Sequence, residues 1–152
     1  MRYYDRSFNC TIHGGPVAER LSRAAGTDLL LARTTGTAGF IWSSPVSILL
    51  RSEVEALGLP TDLGRYRANL VVDDRDAPLT LGAGNVLDFG EVRLVVEREL
   101  DRCLVVNHDP VTGEHDEDLL HRLRPGVLLG HGARVESGGL LRAGGPAGLW
   151  QG

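Results

Sequence analysis

Residues 65–73 read RYRANLVVD, and this stretch decides the fold class. Its second half is apolar, rich in β-branched residues, and ends at the acidic turn DDRDAP of residues 73–78, which predicts a β-strand over residues 68–73. Segments of the same kind predict further strands at residues 29–33, 92–97, 103–107, 127–129, 133–136 and 140–142. Many short strands beside few helices predict a mainly β fold (α+β), in which a closed or nearly closed β-barrel carries a few peripheral helices.

Proline and glycine mark the ends of two predicted helices. The first covers residues 16–25, from a proline at its first position to the residue before Gly26. Three apolar side chains at helical spacing are expected to form its buried stripe: Val17, Leu21 and Ala24. The second helix covers residues 45–57, with Ser44 as its N-cap. A short third helix is predicted after a turn at residues 109–113.

The composition narrows the possible function classes. The chain has 152 residues, the size of one domain, and a formal net charge of −4 without a basic stripe, which argues against a nucleic-acid partner. Its apolar runs are too short to span a membrane, and the absence of a signal-peptide pattern favours a cytoplasmic location. All 16 basic residues are arginine, which excludes a lysine Schiff base with pyridoxal phosphate.

Two segments contain groups suited to binding an oxyanion. On an extended strand, the side chains of Arg65, Arg67 and Asn69 would project from one face. Ser43 and Ser44 would lie at the N-terminus of the second helix, where free N–H groups and the helix dipole favour anions. The simpler alternatives are a solvated strand face and an ordinary Ser-Pro helix start.

Cys103 is the candidate for sulfur or metal chemistry. The neighbouring Arg102 favours the thiolate, the form that ligates soft metals or attacks sulfur. The alternative is a small buried apolar residue, as most free cysteines are. Cys10 is assigned no role. His108, His115 and His121 lie near acidic residues, but their spacing matches no recognised metal-ligand motif. His115 and His121 are expected to be polar residues on an exposed helix.

Four segments in this order resemble the MOSC family, named for the C-terminal domain of molybdenum cofactor sulfurase. Residues 44–58 resemble its entry segment, and residues 65–73 its arginine–asparagine strand. Residues 101–113 resemble its cysteine motif and the turn after it, and residues 130–144 its closing strands. The resemblance extends roughly from residue 40 to residue 144.

The resemblance implies a β-barrel-like domain that cradles a molybdopterin cofactor, with Cys103 as the molybdenum ligand. Asp101 and Arg102 would flank this thiolate at the reacting centre. The other contacts to the cofactor would come from side chains already singled out: Ser43, Ser44, Arg65, Arg67, Asn69 and Arg102.

The resemblance leaves two main hypotheses and a weaker third. The first is a molybdenum oxidoreductase that reduces an N-hydroxylated or similar small molecule, with electrons from a separate donor protein. The second is a sulfur carrier or cofactor carrier, with a Cys103 persulfide supplied by a sulfur donor protein, or with the cofactor bound without turnover. The third is a degenerate relative with a different substrate in the same pocket. A homo-oligomer is compatible with each of them.

Departures from the family pattern concern both ends and the motif itself. We predict a single MOSC-like domain in which residues 1–38 are a remnant of the N-terminal region of amidoxime-reducing relatives, residues 39–144 the core, and residues 145–152 a tail. Asp101 stands where a small neutral residue is common, and its negative charge opposes the effect of Arg102 on the thiol. The family's closing Gly-Asp pair is absent.

Overall fold

The computed structural model describes residues 2–3, 6–7, 9–35, 43–123 and 126–150. The chain forms two compact units, residues 1–42 and residues 43–152. The predicted boundary between residues 38 and 39 lies outside the described residues, and the predicted division into remnant, core and tail stays a prediction.

The first unit contains two small antiparallel sheets and one helix. β1 (Arg2–Tyr3) pairs with β2 (Arg6–Ser7), and β3 (Cys10–His13) pairs with β4 (Leu31–Thr34). Between β3 and β4, α1 (Pro16–Ala25) begins at a proline and ends at Gly26, which has a φ of 66°. Both predicted ends of this helix are confirmed, because proline fits a first helical turn and glycine a left-handed C-cap.

The predicted buried stripe of α1 is wrong. Val17 and Leu21 are 60% and 44% exposed, whereas Ala18 is buried. The Ser22 hydroxyl donates to the Ala18 carbonyl over 2.8 Å and accepts from the Leu29 amide over 2.9 Å. The segment that leads to β4 therefore crosses the helix on its Ala18–Ser22 side, one position away from the predicted stripe.

The second unit is built on a six-stranded mixed sheet that curls into a half-barrel. Its strands in sequence order are β5 (Val46–Leu50), β6 (Leu70–Val72), β7 (Val86–Asp88), β8 (Arg93–Glu99), β9 (His131–Ser137) and β10 (Gly148–Leu149). In space the order is β10-β7-β8-β9-β5-β6, with β5 and β6 parallel and the other neighbours antiparallel. The predicted mainly β fold with few helices is confirmed. Within the described residues, β10 and β6 are the free edges of the sheet.

Short helices connect these strands. They are α2 (Arg51–Ala56), α3 (Leu119–Arg122) and two 3₁₀ helices, Leu63–Tyr66 and Leu104–Asn107. No helix in the described parts of the chain is both long and apolar enough to cross a bilayer.

The start of the second predicted helix is wrong, because residues 46–50 form β5. This strand lies between β9 and β6, and Ile48, Leu49 and Leu50 have no exposed surface. Ile48 and Leu50 pack into one apolar cluster, and Leu49 packs into the cluster on the other side. A strand buried on both faces has a continuous apolar run rather than alternation, so its sequence also fits an apolar helix face.

Three other predicted strands are wrong. In place of the strand predicted at residues 103–107 there is the 3₁₀ helix Leu104–Asn107, while residues 127–129 and 140–142 have no regular structure. Leu104 and Val105 are exposed, whereas Val106 and Asn107 are buried. The Asn107 side chain accepts from the Leu120 amide over 2.7 Å, so a buried polar residue ties this turn to α3.

Two apolar clusters hold the second unit together. One lies between the sheet strands and includes Ile48, Leu50, Leu87, Leu94, Val96 and Ala133. The other lies against the helices and includes Leu49, Val54, Tyr66, Val106, Leu119 and Leu129. Because β5 packs into both clusters, its two ends are held in place. The polar residues on the segments next to these ends are therefore rigidly positioned.

Candidate functional site

Cys103 is exposed and lies on an irregular segment that follows β8. Its backbone is extended, with φ −102° and ψ 174°, and its carbonyl accepts from the Val106 amide over 3.2 Å at the start of the 3₁₀ helix. The interpretation of this residue as a small buried apolar side chain is therefore wrong. Since the thiol faces solvent, it is accessible to a ligand or to another protein.

Arg102, next to the thiol, is anchored to two backbone carbonyls. Its Nε donates to the Leu129 carbonyl over 2.7 Å, and its Nη1 donates to the Tyr66 carbonyl over 2.8 Å. Its Nη2 is buried without a hydrogen-bond partner among the described residues. Burial lowers the pKa of Arg102, while the neighbouring thiol of Cys103 and the carboxylate of Glu53 oppose that shift. The segment thus carries a fixed positive charge beside the thiol.

Two glycines at the start of β9 allow this packing. Gly130 has a φ of 83°, and a Cβ there would overlap Nη2 of Arg102 and lie 2.7 Å from the Ile48 carbonyl. At Gly132 a Cβ would overlap the Ser44 hydroxyl and lie 3.2 Å from Leu100. Glycine is required at both positions because the polar side chains rest directly on this backbone.

Ser43 and Ser44 do not lie at a helix N-terminus, so that basis for an anion site is wrong. They precede β5, and α2 begins only at Arg51. The Ser43 carbonyl accepts from Arg98 over 2.7 Å. The Ser44 hydroxyl is buried without a partner among the described residues. A binding role for the two serines therefore stays a prediction that rests on this hydroxyl rather than on a helix dipole.

Arg65 belongs to a structural ion pair. It lies in the 3₁₀ helix, is 5% exposed, and makes two bonds of 2.7 Å to the carboxylate of Asp116. The hydrogen bond that Arg65 donates to Asp116 raises the pKa of Arg65 and lowers the pKa of Asp116. Two of its donor atoms are thereby occupied within the protein.

The predicted strand face of Arg65, Arg67 and Asn69 is wrong, because β6 begins only at Leu70. Arg67 is exposed in the left-handed region with a φ of 53°. Asn69 is bonded to the start of β5: its Oδ1 accepts from both the amide and the hydroxyl of Ser47 over 2.9 Å. Because the chain turns sharply at Arg67, the three side chains do not project from one strand face.

The structure nevertheless brings most of the predicted segments together. Arg102 links residues 100–103 to Tyr66 and Leu129, and Gly132 contacts Ser44. Within the described residues, the side chain of Arg67, directly after Tyr66, makes no hydrogen bond or ion pair, and neither does the exposed side chain of Asp101. An exposed thiol, an anchored arginine, a further arginine and a buried hydroxyl thus lie on segments that touch one another.

Sequence reasoning missed the pair of the half-buried Glu53 and the buried His131. Nε2 of His131 lies 2.6 Å from Oε1 of Glu53, and the histidine side chain is 2% exposed. The histidine stands between Gly130 and Gly132. The sequence signal that could have pointed to this pair is a polar residue between two glycines at the start of a strand. His108 and His115 form a β-bridge, so the expected exposed helix at His115 is wrong, whereas His121 lies exposed on α3 as expected.

The half-barrel and this site define a mainly β protein with an exposed thiol held beside an anchored arginine. The sequence model of the MOSC domain family matches residues 11–147, and the chain belongs to this family. The search of curated proteins gives no match. The family is associated with binding of the molybdenum cofactor.

Proposed function

We propose that this protein binds a molybdenum cofactor at the segment that carries Cys103 and reduces an N-hydroxylated or similarly oxidised small molecule. The observation that carries the proposal is the exposed thiol next to Arg102, whose guanidinium is fixed by two backbone carbonyls. A cysteine sulfur is a suitable ligand for a soft metal, and the anchored Arg102 holds the segment that presents it in place.

The residues present fit such a group. Within the described residues, no three His, Cys, Asp or Glu side chains are placed to hold a metal ion, so Cys103 would be the protein's ligand and the cofactor would bring the others. Three donors that lack partners in the described part of the chain would hold its anionic end: the Arg67 side chain, Nη2 of Arg102 and the Ser44 hydroxyl. Arg65 contributes less, because Asp116 occupies its Nη1 and Nη2.

The chain's own residues would bind and orient the reactants. Arg102 fixes the position of the Cys103 peptide, and Asp101 places an exposed carboxylate two positions before the thiol, where it can carry a proton. When bound, the cofactor supplies two-electron oxygen-atom transfer. The electrons would come from a separate donor protein.

The second candidate is a cytoplasmic sulfur or cofactor carrier. It is favoured by the exposure of the thiol together with Leu104 and Val105, the two residues that follow it. A partner's thiolate or persulfide could reach Cys103 directly in such a surface position. In this case Cys103 carries the persulfide, or the cofactor is bound and passed on without turnover.

The test is metal analysis and intact-mass spectrometry of the protein purified from cells that make the cofactor. The proposal predicts about one molybdenum per chain and reduction of an N-hydroxylated amidine with an artificial electron donor. A metal-free protein with a persulfide on Cys103 would support the carrier. A protein with neither would refute both functions.

A further inference from the structure

The Glu53–His131 pair, formed by a half-buried carboxylate and a buried imidazole, lies outside the proposed ligand set. Their bond of 2.6 Å joins α2 to the first residue of β9. Nδ1 of His131 and Oε2 of Glu53 are buried without partners among the described residues. The bond joins Nε2 of His131, as donor, to the carboxylate oxygen Oε1 of Glu53, as acceptor. The bond therefore fixes where β9 begins.

The residues just before His131 hold the segment that carries the thiol. The Leu100 amide donates to the Gly130 carbonyl over 2.9 Å, and the Leu129 amide donates to the Leu100 carbonyl over 3.0 Å. Nε of Arg102 donates to the Leu129 carbonyl. Three hydrogen bonds thus connect the strand start to residues 100–102, directly before Cys103.

The side chains beside this pair depend on the same strand start. Nη2 of Arg102 lies against Gly130, and the Ser44 hydroxyl lies against Gly132. A shift of His131 would move both glycines and with them the surfaces on which the two polar groups rest. The pair is therefore placed to control several parts of the site through one backbone segment.

We propose that Glu53 and His131 are positioning residues for Cys103: their hydrogen bond fixes the start of β9, which in turn holds the Arg102–Cys103 segment in place. The importance of Cys103 rests on the proposed function, but its position does not. An experiment that measures the reactivity of the thiol and the exchange of nearby backbone amides therefore tests the proposal even in a protein without molybdenum.

The experiment measures the alkylation rate of Cys103 by peptide-resolved mass spectrometry, together with hydrogen exchange of residues 100–106, in the full chain. Glu53→Ala removes the acceptor and should change the Cys103 rate and speed the exchange about fivefold by local opening. Glu53→Gln keeps an acceptor for Nε2 and should restore both within about twofold. General destabilisation would not produce this recovery.

Ser52→Ala is the matched control. Ser52 lies on the same helix and bonds to the buried Asp74, away from β9. At temperatures equally far below each Tm, this control should leave Cys103 unchanged. Should Glu53→Ala not fold, His131→Leu breaks the same bond with an apolar side chain. The inference is overturned when neither variant differs from Ser52→Ala, or when Glu53→Gln behaves like Glu53→Ala.

Discussion

Two arginines anchor neighbouring parts of the second unit, the buried Arg65 and the half-buried Arg102, and they use their charge differently. Arg65 forms a bidentate pair with the carboxylate of Asp116, so its charge is compensated on the spot. Arg102 donates to the carbonyls of Leu129 and Tyr66 and retains one unpartnered nitrogen. Both guanidinium groups hold the fold, but only the second leaves its charge available.

The difference in hydrogen-bond partners distinguishes an arginine with a structural role from one that is suited to a functional site. A carboxylate in contact cancels the field of a cation, whereas two neutral carbonyls fix its position and cancel little of its charge. At Arg102 the remaining charge lies next to an exposed thiol. We therefore propose that Arg65 stabilises the fold, whereas Arg102 both stabilises the fold and belongs to the proposed site.

Arg102→Met should have the largest effect on stability. It removes two charge-assisted hydrogen bonds and leaves the carbonyls of Leu129 and Tyr66 without this donor, a loss of about 3 kcal/mol in the free energy of unfolding. Urea unfolding followed by fluorescence measures it. The same substitution should alter the alkylation rate of Cys103, and an unchanged rate would show that this arginine does not hold the thiol.

Gly130→Ala and Gly113→Ala form a matched pair that sharpens the contrast. Both glycines have positive φ, 83° and 76°, so both substitutions strain the backbone. Around Gly113 the added Cβ meets open space, but at Gly130 it overlaps Arg102. Gly130→Ala should therefore cost about 2 kcal/mol more than Gly113→Ala. Equal losses in thermal unfolding would contradict the packing of Arg102 on this glycine.

Asp116→Asn should have a smaller effect, and one that depends on pH. The pKa of Asp116 is lowered by its bond from Arg65. A depressed folded-state pKa contributes stability that is present above the ordinary carboxyl pKa of about 4 and is lost as the pH falls through the folded value. The difference in unfolding free energy between wild type and Asp116→Asn should thus be present at pH 7 and shrink in acid. A difference that grows below pH about 4 would refute this pairing.

Local sequence determines some elements of this protein and leaves others undecided. Pro16 and Gly26 fix the ends of α1 through φ alone, and the turn at residues 109–113 follows from Asp109, which accepts from the amides of Val111 and Thr112. Residues 46–50 could not be assigned locally, because burial on both faces removes the alternation that distinguishes a strand from a helix.

The site was predictable in its residue types but not in its geometry. The thiol beside an arginine is visible in the sequence, as is the Arg65–Asn69 segment. Whether an arginine is compensated depends on a distant partner, here 51 positions away at Asp116. The pair of Glu53 and His131 spans 78 positions, a separation that no periodicity reveals.

We propose that cofactor binding depends on Cys103 and not on Arg65, whose charge is taken up by Asp116. The most direct test is the molybdenum content of folded protein in three forms produced side by side: wild type, Cys103→Ser and Arg65→Met. Because Cys103 is exposed, its substitution should leave the Tm within about 2 °C of wild type. We predict about one molybdenum per chain in wild type and Arg65→Met, and less than about a tenth of that in Cys103→Ser. Full molybdenum content in Cys103→Ser, or its loss from folded Arg65→Met, would contradict the account.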